Sequence, residues 1–350
     1  METQDLLSRR LIWGKNDQEL SKNGKYLYEN VFYDKMKVQG EAFMKQYLTV
    51  DVGGTMIKYA LMDEKTVIHE KGEVPVPRDT LENFIETIGR LYDKYAKRIS
   101  GIAFSVPGVI DVERGHMYSG GALKYIVDCP MRDLLSKRVP VPMSFENDGK
   151  CATLAELWMG SMKDVKNGVI ILLGTGIGGG VIIDHKLHRG MNYAAGEFSS
   201  LLNNLVTFDE KPHSWWELNG NTGLLQPFAD KKHMDIHEIN GRKLFEAYHA
   251  QDEDAINTVE RFCETLANGI FSIQCILDVE KFSIGGGISA QDVLIETIRR
   301  KVNRLFDITA FEQMPIIRPR IERCAFANDS NLIGALYNHL ELNKGIKEFF

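Results

Sequence analysis

The sequence lacks paired cysteines, long apolar runs and an excess of positive charge, and each lack removes a class of protein. Its five cysteines (Cys129, Cys151, Cys263, Cys275, Cys324) are odd in number, scattered, and form no C-x-x-C pair. They read as buried, reduced thiols in the cytoplasm rather than as a disulfide framework. The longest apolar runs are pieces such as Val169–Leu173, far short of the roughly 20 residues that span a bilayer. The first residues mix both charge signs without an apolar stretch, so no signal peptide is expected. A formal charge of −6 argues against nucleic acid or an anionic membrane as the main partner. What remains is a chain of 350 residues, 44% hydrophobic and 26% charged, long enough for two cores.

Residues 1–43 are polar, rich in Lys, Asn and Tyr, and show no sustained period. From Met44 the text turns into an apolar strand, "MKQYLTVDVGGTMIKYALMD". The preceding "QGEAF" can be encoded by a purine-rich run like a bacterial ribosome-binding site, so 1–43 reads as an upstream extension, poorly ordered or non-native. Beyond it, Leu81, Phe84, Ile85, Ile88, Leu91, Tyr92 and Tyr95 recur at helical spacing. "SGIAFSVPGVID" reads as a buried strand, and "VPMSFEN" as a strand handing over to a helix that runs to about Met159. Residues 185–250 look less regular. A long amphipathic helix follows over 253–277, then "KFSIGGGIS" as strand and turn, then helices in "DVLIETIRRKVNRLF" and "SNLIGALYNHLEL". Strands alternating with helices indicate an α/β protein.

Two segments share one plan: "LTVDVGGTMIKYALMD" (48–63) and "VIILLGTGIGGGVIID" (169–184) each run strand, glycine turn with Thr, strand, Asp. A dinucleotide fingerprint would open a helix after its glycines. Here β-branched residues follow, so both are hairpins, and no G-K-[ST] makes either a Walker loop. Glycines at such turns let consecutive N–H groups face an anion, although they also serve any tight turn. Gly53, Gly54 and Thr55 form the first candidate phosphate turn, and Gly174, Thr175, Gly176 and Gly178 the second. Asp51, at the end of its strand, could hold Mg²⁺ against nucleotide phosphates. Lys58 adds a cation, unless it is an ordinary surface lysine.

"FENDGKCATLAE" offers Asp148 as a general base where a strand meets a helix, and Asn147 beside it. A carboxylate there can take the proton of a hydroxyl attacking phosphorus; the same Asn-Asp pair also makes a plain helix cap. Glu197 in "YAAGEFSS" and Glu217 in "SWWELNGN" are candidate sugar-hydroxyl acceptors, or surface acids.

Taken in order, "DVGGTMIK", "SVPGVID", "ENDGKCATLAE", "LLGTGIGGGVI", "AAGEFS" and "IGGGIS" resemble the ROK sugar kinases of the actin/hexokinase-like ATPase superfamily. The resemblance spans about residues 44–345. It implies two ribonuclease-H-like α/β domains with a cleft between them, 44–162 plus 331–350 and 163–330. It implies ATP and Mg²⁺ as cofactors, a hexose or β-glucoside phosphorylated on its 6-hydroxyl, Asp148 as base, and a homodimer. By the same resemblance Gly108, Asn147, Glu197 and Glu217 lie at the sugar, and Gly285, Gly286 and Gly287 near the adenosine. Many members follow the sugar-binding Glu with Gly-His and carry a later cysteine cluster that binds zinc. This chain has Phe198-Ser199-Ser200 and no cysteine in the later stretch, so no structural zinc is expected. Ala122 replaces a sugar-side Asn. The family also includes sugar-sensing repressors, but 1–43 lacks the pattern of a helix-turn-helix module; a non-catalytic sugar-binding protein is a further alternative.

Overall fold

A computed structural model of the protein describes residues 44–202, 213–309, 316–327 and 329–343. The expectation for 1–43 lies outside the described residues.

Strand β1 (Gln46–Val52) alternates strictly, and that alternation sets up the site. Leu48, Val50 and Val52 join one core with Phe84, Ile88, Leu91 and Tyr95. Tyr47, Thr49 and Asp51 therefore point to the other face. β1 pairs antiparallel with β2 (Met56–Asp63), which pairs with β3 (Ile68–Pro75). Helix α1 (Leu81–Tyr95) is capped by Thr80, whose side chain accepts from Asn83 N at 3.2 Å. Its apolar spacing was legible in the sequence, and burying one such aromatic or leucine contributes about 2–3 kcal/mol. β4 (Ile99–Val106) then runs parallel to β1.

A small three-stranded sheet, β5 (Ile110–Asp111), β6 (His116–Ser119) and β7 (Val127–Cys129), leads to α2 (Met131–Ser136). β8 (Met143–Asn147) completes the first large sheet parallel to β4, and Phe104 and Phe145 stack across the pair at 4.8 Å. Helix α3 (Asp148–Met159) starts without a break, and every residue from Gly149 to Leu157 is buried.

The second large sheet opens with β9 (Gly168–Leu173) and β10 (Ile177–Ile183), followed by β11 (Lys186–His188). Three helices, α4 (Trp215–Asn219), α5 (Asn221–Lys232) and α6 (Gly241–His249), occupy the stretch expected to be irregular. Pro227 and the glycines at 220 and 223 hide α5 in the sequence, while Leu224, Leu225, Phe228 and Ala229 put it in the core. The chain continues through α7 (Glu253–Leu277), β12 (Lys281–Gly285), α8 (Asp292–Thr309), β13 (Arg320–Arg323) and α9 (Ser330–Leu342).

The two sheets have one topology. The first is ordered β3-β2-β1-β4-β8 and the second β11-β10-β9-β12-β13, each a hairpin and its extra strand beside two parallel strands. The repeat seen in the sequence is thus a repeat of architecture. α9 returns to pack on α3, β1, β4 and β8, beside the first sheet. α3 packs against α9 on one side and β10 of the second sheet on the other. Small residues permit both approaches: a methyl group on Gly334 would run into the Cys151 carbonyl, and one on Gly149 would meet Gly179 N at 2.8 Å. Glu156, buried near the end of α3, accepts from Ser161 N at 2.7 Å, Ala325 N at 3.0 Å and Phe326 N at 2.8 Å.

Cys129, Cys151, Cys263 and Cys324 are buried, but Cys275 is exposed, which corrects the expectation of five buried thiols. It lies on the solvent side of α7, where helical spacing turns it away from the buried Ile270, Ile273 and Gln274. No helix among the described residues is long and apolar enough to cross a membrane.

Candidate active site

The candidate residues gather at the carboxyl ends of the parallel strands, where open α/β sheets generally bind their ligands. In register, Asp51 of β1 lies beside Ser105 of β4, and Ser105 beside Glu146 of β8. Ser105 Oγ donates to Asp51 Oδ1 at 2.7 Å, and Asn331 Nδ2 at the start of α9 donates to the same oxygen at 3.0 Å. Among the described residues no hydrogen bond is made to Oδ2. Lys58 of β2 stands directly opposite Asp51 on the same face, and is exposed.

The first turn closes through Gly53 N to Met56 O at 3.0 Å, leaving Gly54 and Thr55 exposed at its tip. Arg78 Nη2 donates to Gly54 O at 3.0 Å and Thr55 Oγ1 at 3.2 Å, bringing a guanidinium to the turn. The second turn, Gly174-Thr175-Gly176, closes through Gly174 N to Gly176 O at 3.0 Å, with Gly174 and Thr175 exposed. Gly178 lies inside β10, paired with Leu172, and not in the turn. Gly179 has φ +153°, and a methyl group there would collide with the Ile170 carbonyl; Gly180 lies tight against Thr153 of α3. Part of the glycine run therefore docks a helix.

Gly285 ends β12 beside Leu172 of β9, so its turn shares an edge with Gly174. Gly286 has φ +94° against the Leu173 carbonyl, while Gly287 has open space around it.

Asn147 caps α3, accepting from Lys150 N at 3.1 Å, and its amide donates to Gly108 O at 3.0 Å. The cap reading of this residue is met, and the same side chain ties down the glycine loop. Asp148 follows, its Oδ1 accepting from Gly149 N at 2.8 Å. Burial pushes its carboxyl up to about 6; the Gly149 N–H opposes this, the negative charges of Asp51 and Glu197 add to it, and Lys150 opposes it. The residue keeps an accessible edge, as a group that meets a substrate must.

Glu197 enters from the second sheet's side on the loop after β11, and its Oε1 accepts from Lys150 Nζ at 3.1 Å. The same loop makes two more contacts with the first sheet's side. Arg189 Nε donates to the buried Glu146 at 2.7 Å, and Tyr193 OH to Asp111 at 2.9 Å. The structure thus brings Asp51, Asn147, Asp148, Glu197 and Gly108 into one seam.

Glu217 is placed differently. It turns back on its own helix in a capping box, accepting from Ser214 N at 2.9 Å. The neighbouring Trp216, half exposed, lies against the second turn instead: a methyl group on Gly176 would meet its ring at 2.9 Å. Phe198 packs edge-on against buried Trp215 at 6.2 Å, and Ser199 Oγ bonds both Ile177 N and Ile177 O. Lys150, Ser105, Asn331, Arg78 and Trp216 were not singled out from the sequence. For Lys150 a signal existed: it is the one cation in a helix otherwise apolar or small through Ala155, so it had to be buried and paired.

Residues 47–340 match the ROK family. A β-glucoside kinase of Listeria monocytogenes is 28% identical over 250 residues, 69% of this chain and 80% of its own. A glucokinase of Halalkalibacterium halodurans is 29% identical over 286 residues, 73% of this chain and 84% of its own. A ROK family protein of Streptococcus pneumoniae, solved in complex with sucrose, superposes with a TM-score of 0.77 at 30% identity, covering 86% of this chain and 99% of that one. On a match that runs through both sheets, this chain belongs to the ROK family.

Proposed function

We propose that this ROK-family sugar kinase transfers the γ-phosphoryl group of ATP to the 6-hydroxyl of a glucose-type hexose or β-glucoside. The observation that carries the reading is Asp148, desolvated between two glycine turns, its carboxyl raised to about 6. A base with that affinity is ionised at neutral pH yet takes a proton readily. The sugar oxygen attacks the γ-phosphorus, its proton goes to the Asp148 carboxylate, and the bond to the β-phosphate oxygen breaks to release ADP. In so loose a transition state, positioning and charge do most of the work.

The turns at 53–55 and 174–176 would cradle the phosphates with backbone N–H groups, Lys58 flanking the first and Gly178 backing the second. The turn at 285–287 would receive the adenosine side. Asn147, Gly108 and Glu197 would bind sugar hydroxyls; Glu217 would act at one remove, through the helix that carries Trp216. A Mg²⁺ ion fits the donor set, because Asp51 Oδ1 is held by Ser105 and Asn331 while Oδ2 is left for an ion or its waters. When bound, Mg²⁺ supplies positive charge to the phosphate oxygens. We further propose that 44–162 with 331–350 and 163–330 act as two domains that close over the sugar, a view supported by α9 packing on the first sheet.

ADP release should be measured over glucose, mannose, fructose, N-acetylated hexosamines, gentiobiose and cellobiose. Turnover is expected with glucose or a β-glucoside; ADP from none of these sugars would overturn the reading.

A further inference from the structure

Lys150 sits on the first turn of α3 with 1% of its surface exposed. Its helix neighbours Gly149, Cys151, Ala152, Thr153 and Leu154 are all buried. A buried ammonium costs several kcal/mol unless it is paired, and the partner that Lys150 finds is Glu197, at 3.1 Å. The pair is lopsided: the lysine side chain is 2% exposed and the glutamate 43%. The positive charge is therefore fixed in the core, and the negative one is held out towards the seam. Glu197 also comes from a backbone fixed at its neighbour, since Gly196 has φ +85° and lies tight against Gly180.

The charges facing this point come from four elements. Asp51 lies on β1, Asp148 and Lys150 on α3, and Glu197 on the loop after β11, while Glu146 of β8 is already matched by Arg189. Asp148 and Glu197 thus share one lysine, while Asp51 has Lys58 opposite it. Without Lys150, the negative charge of Glu197 would act on the buried Asp148 unopposed.

We propose that Lys150 is a positioning residue of the transfer reaction, anchoring Glu197 for the sugar and placing one fixed counter-charge beside Glu197 and Asp148. The proposal rests on the kinase reading above. Oε1 of Glu197 is engaged by the lysine, which leaves Oε2 for a sugar hydroxyl at a fixed angle. A purely structural occupant of this buried position would have been apolar.

The test is a pH series of initial rates, from about pH 5 to 9, for wild type, Lys150→Met and Lys150→Arg. ADP release is followed with whichever panel sugar the wild type turns over fastest. Lys150→Met should raise the sugar KM about tenfold with the ATP KM unchanged. It should also move the acid limb of kcat/KM up by about one pH unit, as expected when a nearby opposite charge is lost. Lys150→Arg should restore most of the limb. A folded Met variant with both the limb and the sugar KM unmoved would overturn the proposal. Should the Met variant not fold, Glu197→Gln takes its place: the limb should move down, and an unmoved limb overturns the proposal. A wild type silent on every sugar would instead sink the kinase reading itself.

Discussion

The two glycine turns occupy equivalent places in two sheets of identical strand order, yet only one of them carries charge. In the first, Asp51 and Lys58 face each other across β1 and β2. In the second, Leu172 stands where Asp51 stands, and its cross-strand partner, where Lys58 stands in the first, is Gly178. Leu172 packs with the α3 side of its sheet, next to Ile170 and Leu154. Gly180, together with Gly149 of the helix itself, lets α3 come within touching distance of β10. One copy of the hairpin carries a carboxylate and a cation on that face, and the other gives the face to helix packing. A duplicated architecture does not imply a duplicated chemistry.

The sharpest break of this asymmetry is Asp148→Asn, at the seam where the charged copy meets the bare one. It should lower kcat by roughly 10²- to 10⁴-fold while the circular dichroism stays that of wild type. It should also raise the melting temperature. A carboxyl held near 6 rather than at its ordinary value near 3.9 favours folding only while protonated. That contribution is full below about pH 4 and is lost as pH rises through 6. The amide variant should therefore match wild type at pH 4 and exceed it at pH 7.5, by an order of 1–2 kcal/mol once its accessible edge is allowed for.

Next comes a glycine pair that tests the packing role of the second copy. Gly179→Ala forces a methyl group into the Ile170 carbonyl and should cost about 2–4 kcal/mol in denaturant melts, or solubility outright. Gly287→Ala, in open space, should change stability by less than about 0.5 kcal/mol. Equal costs at the two positions would erase the distinction between glycines packed against backbone and glycines in open space. Asp51→Asn should then lower kcat about 10- to 100-fold and raise the Mg²⁺ concentration for half-maximal rate; Leu172→Asn, its counterpart, should leave that Mg²⁺ dependence unchanged.

An effect on stability alone belongs to the first sheet's covering helix. His339 of α9 accepts or donates at Ser144 Oγ, 2.9 Å away, and burial lowers its ring to about 4. A ring that folds neutral stabilises fully above its ordinary value near 6.5, and that contribution fades as pH falls towards 4. The wild type should lose about 2 kcal/mol between pH 7 and pH 5 through this group; His339→Gln should flatten that slope in melts recorded against pH.

Much of this was legible beforehand because period is a strong signal. The two hairpins, α1, α3 and α7 fall where alternation or helical spacing placed them. α5 was not, since its polar first turn and Pro227 read as loop until its apolar residues find a core. Asp148, Asn147 and Glu197 could be named from their motifs, but Lys150 could not be assigned a partner. Its mate lies 47 residues away on another sheet's loop, and no local pattern encodes such a meeting. The triple glycine at 178–180 misleads for a related reason: close approach to a helix and to a phosphate select the same residue.

The chain passes from one sheet's side to the other twice, once after α3 and once between β13 and α9, and Glu156 bonds to both passages. One carboxylate thus rivets two straps. A rotation of one sheet against the other that preserved these three bonds would have its axis close to that rivet. Asp148 stands eight residues along α3 from Glu156, about 12 Å at helical rise, so the second sheet facing it would sweep an arc there that it does not sweep at the rivet.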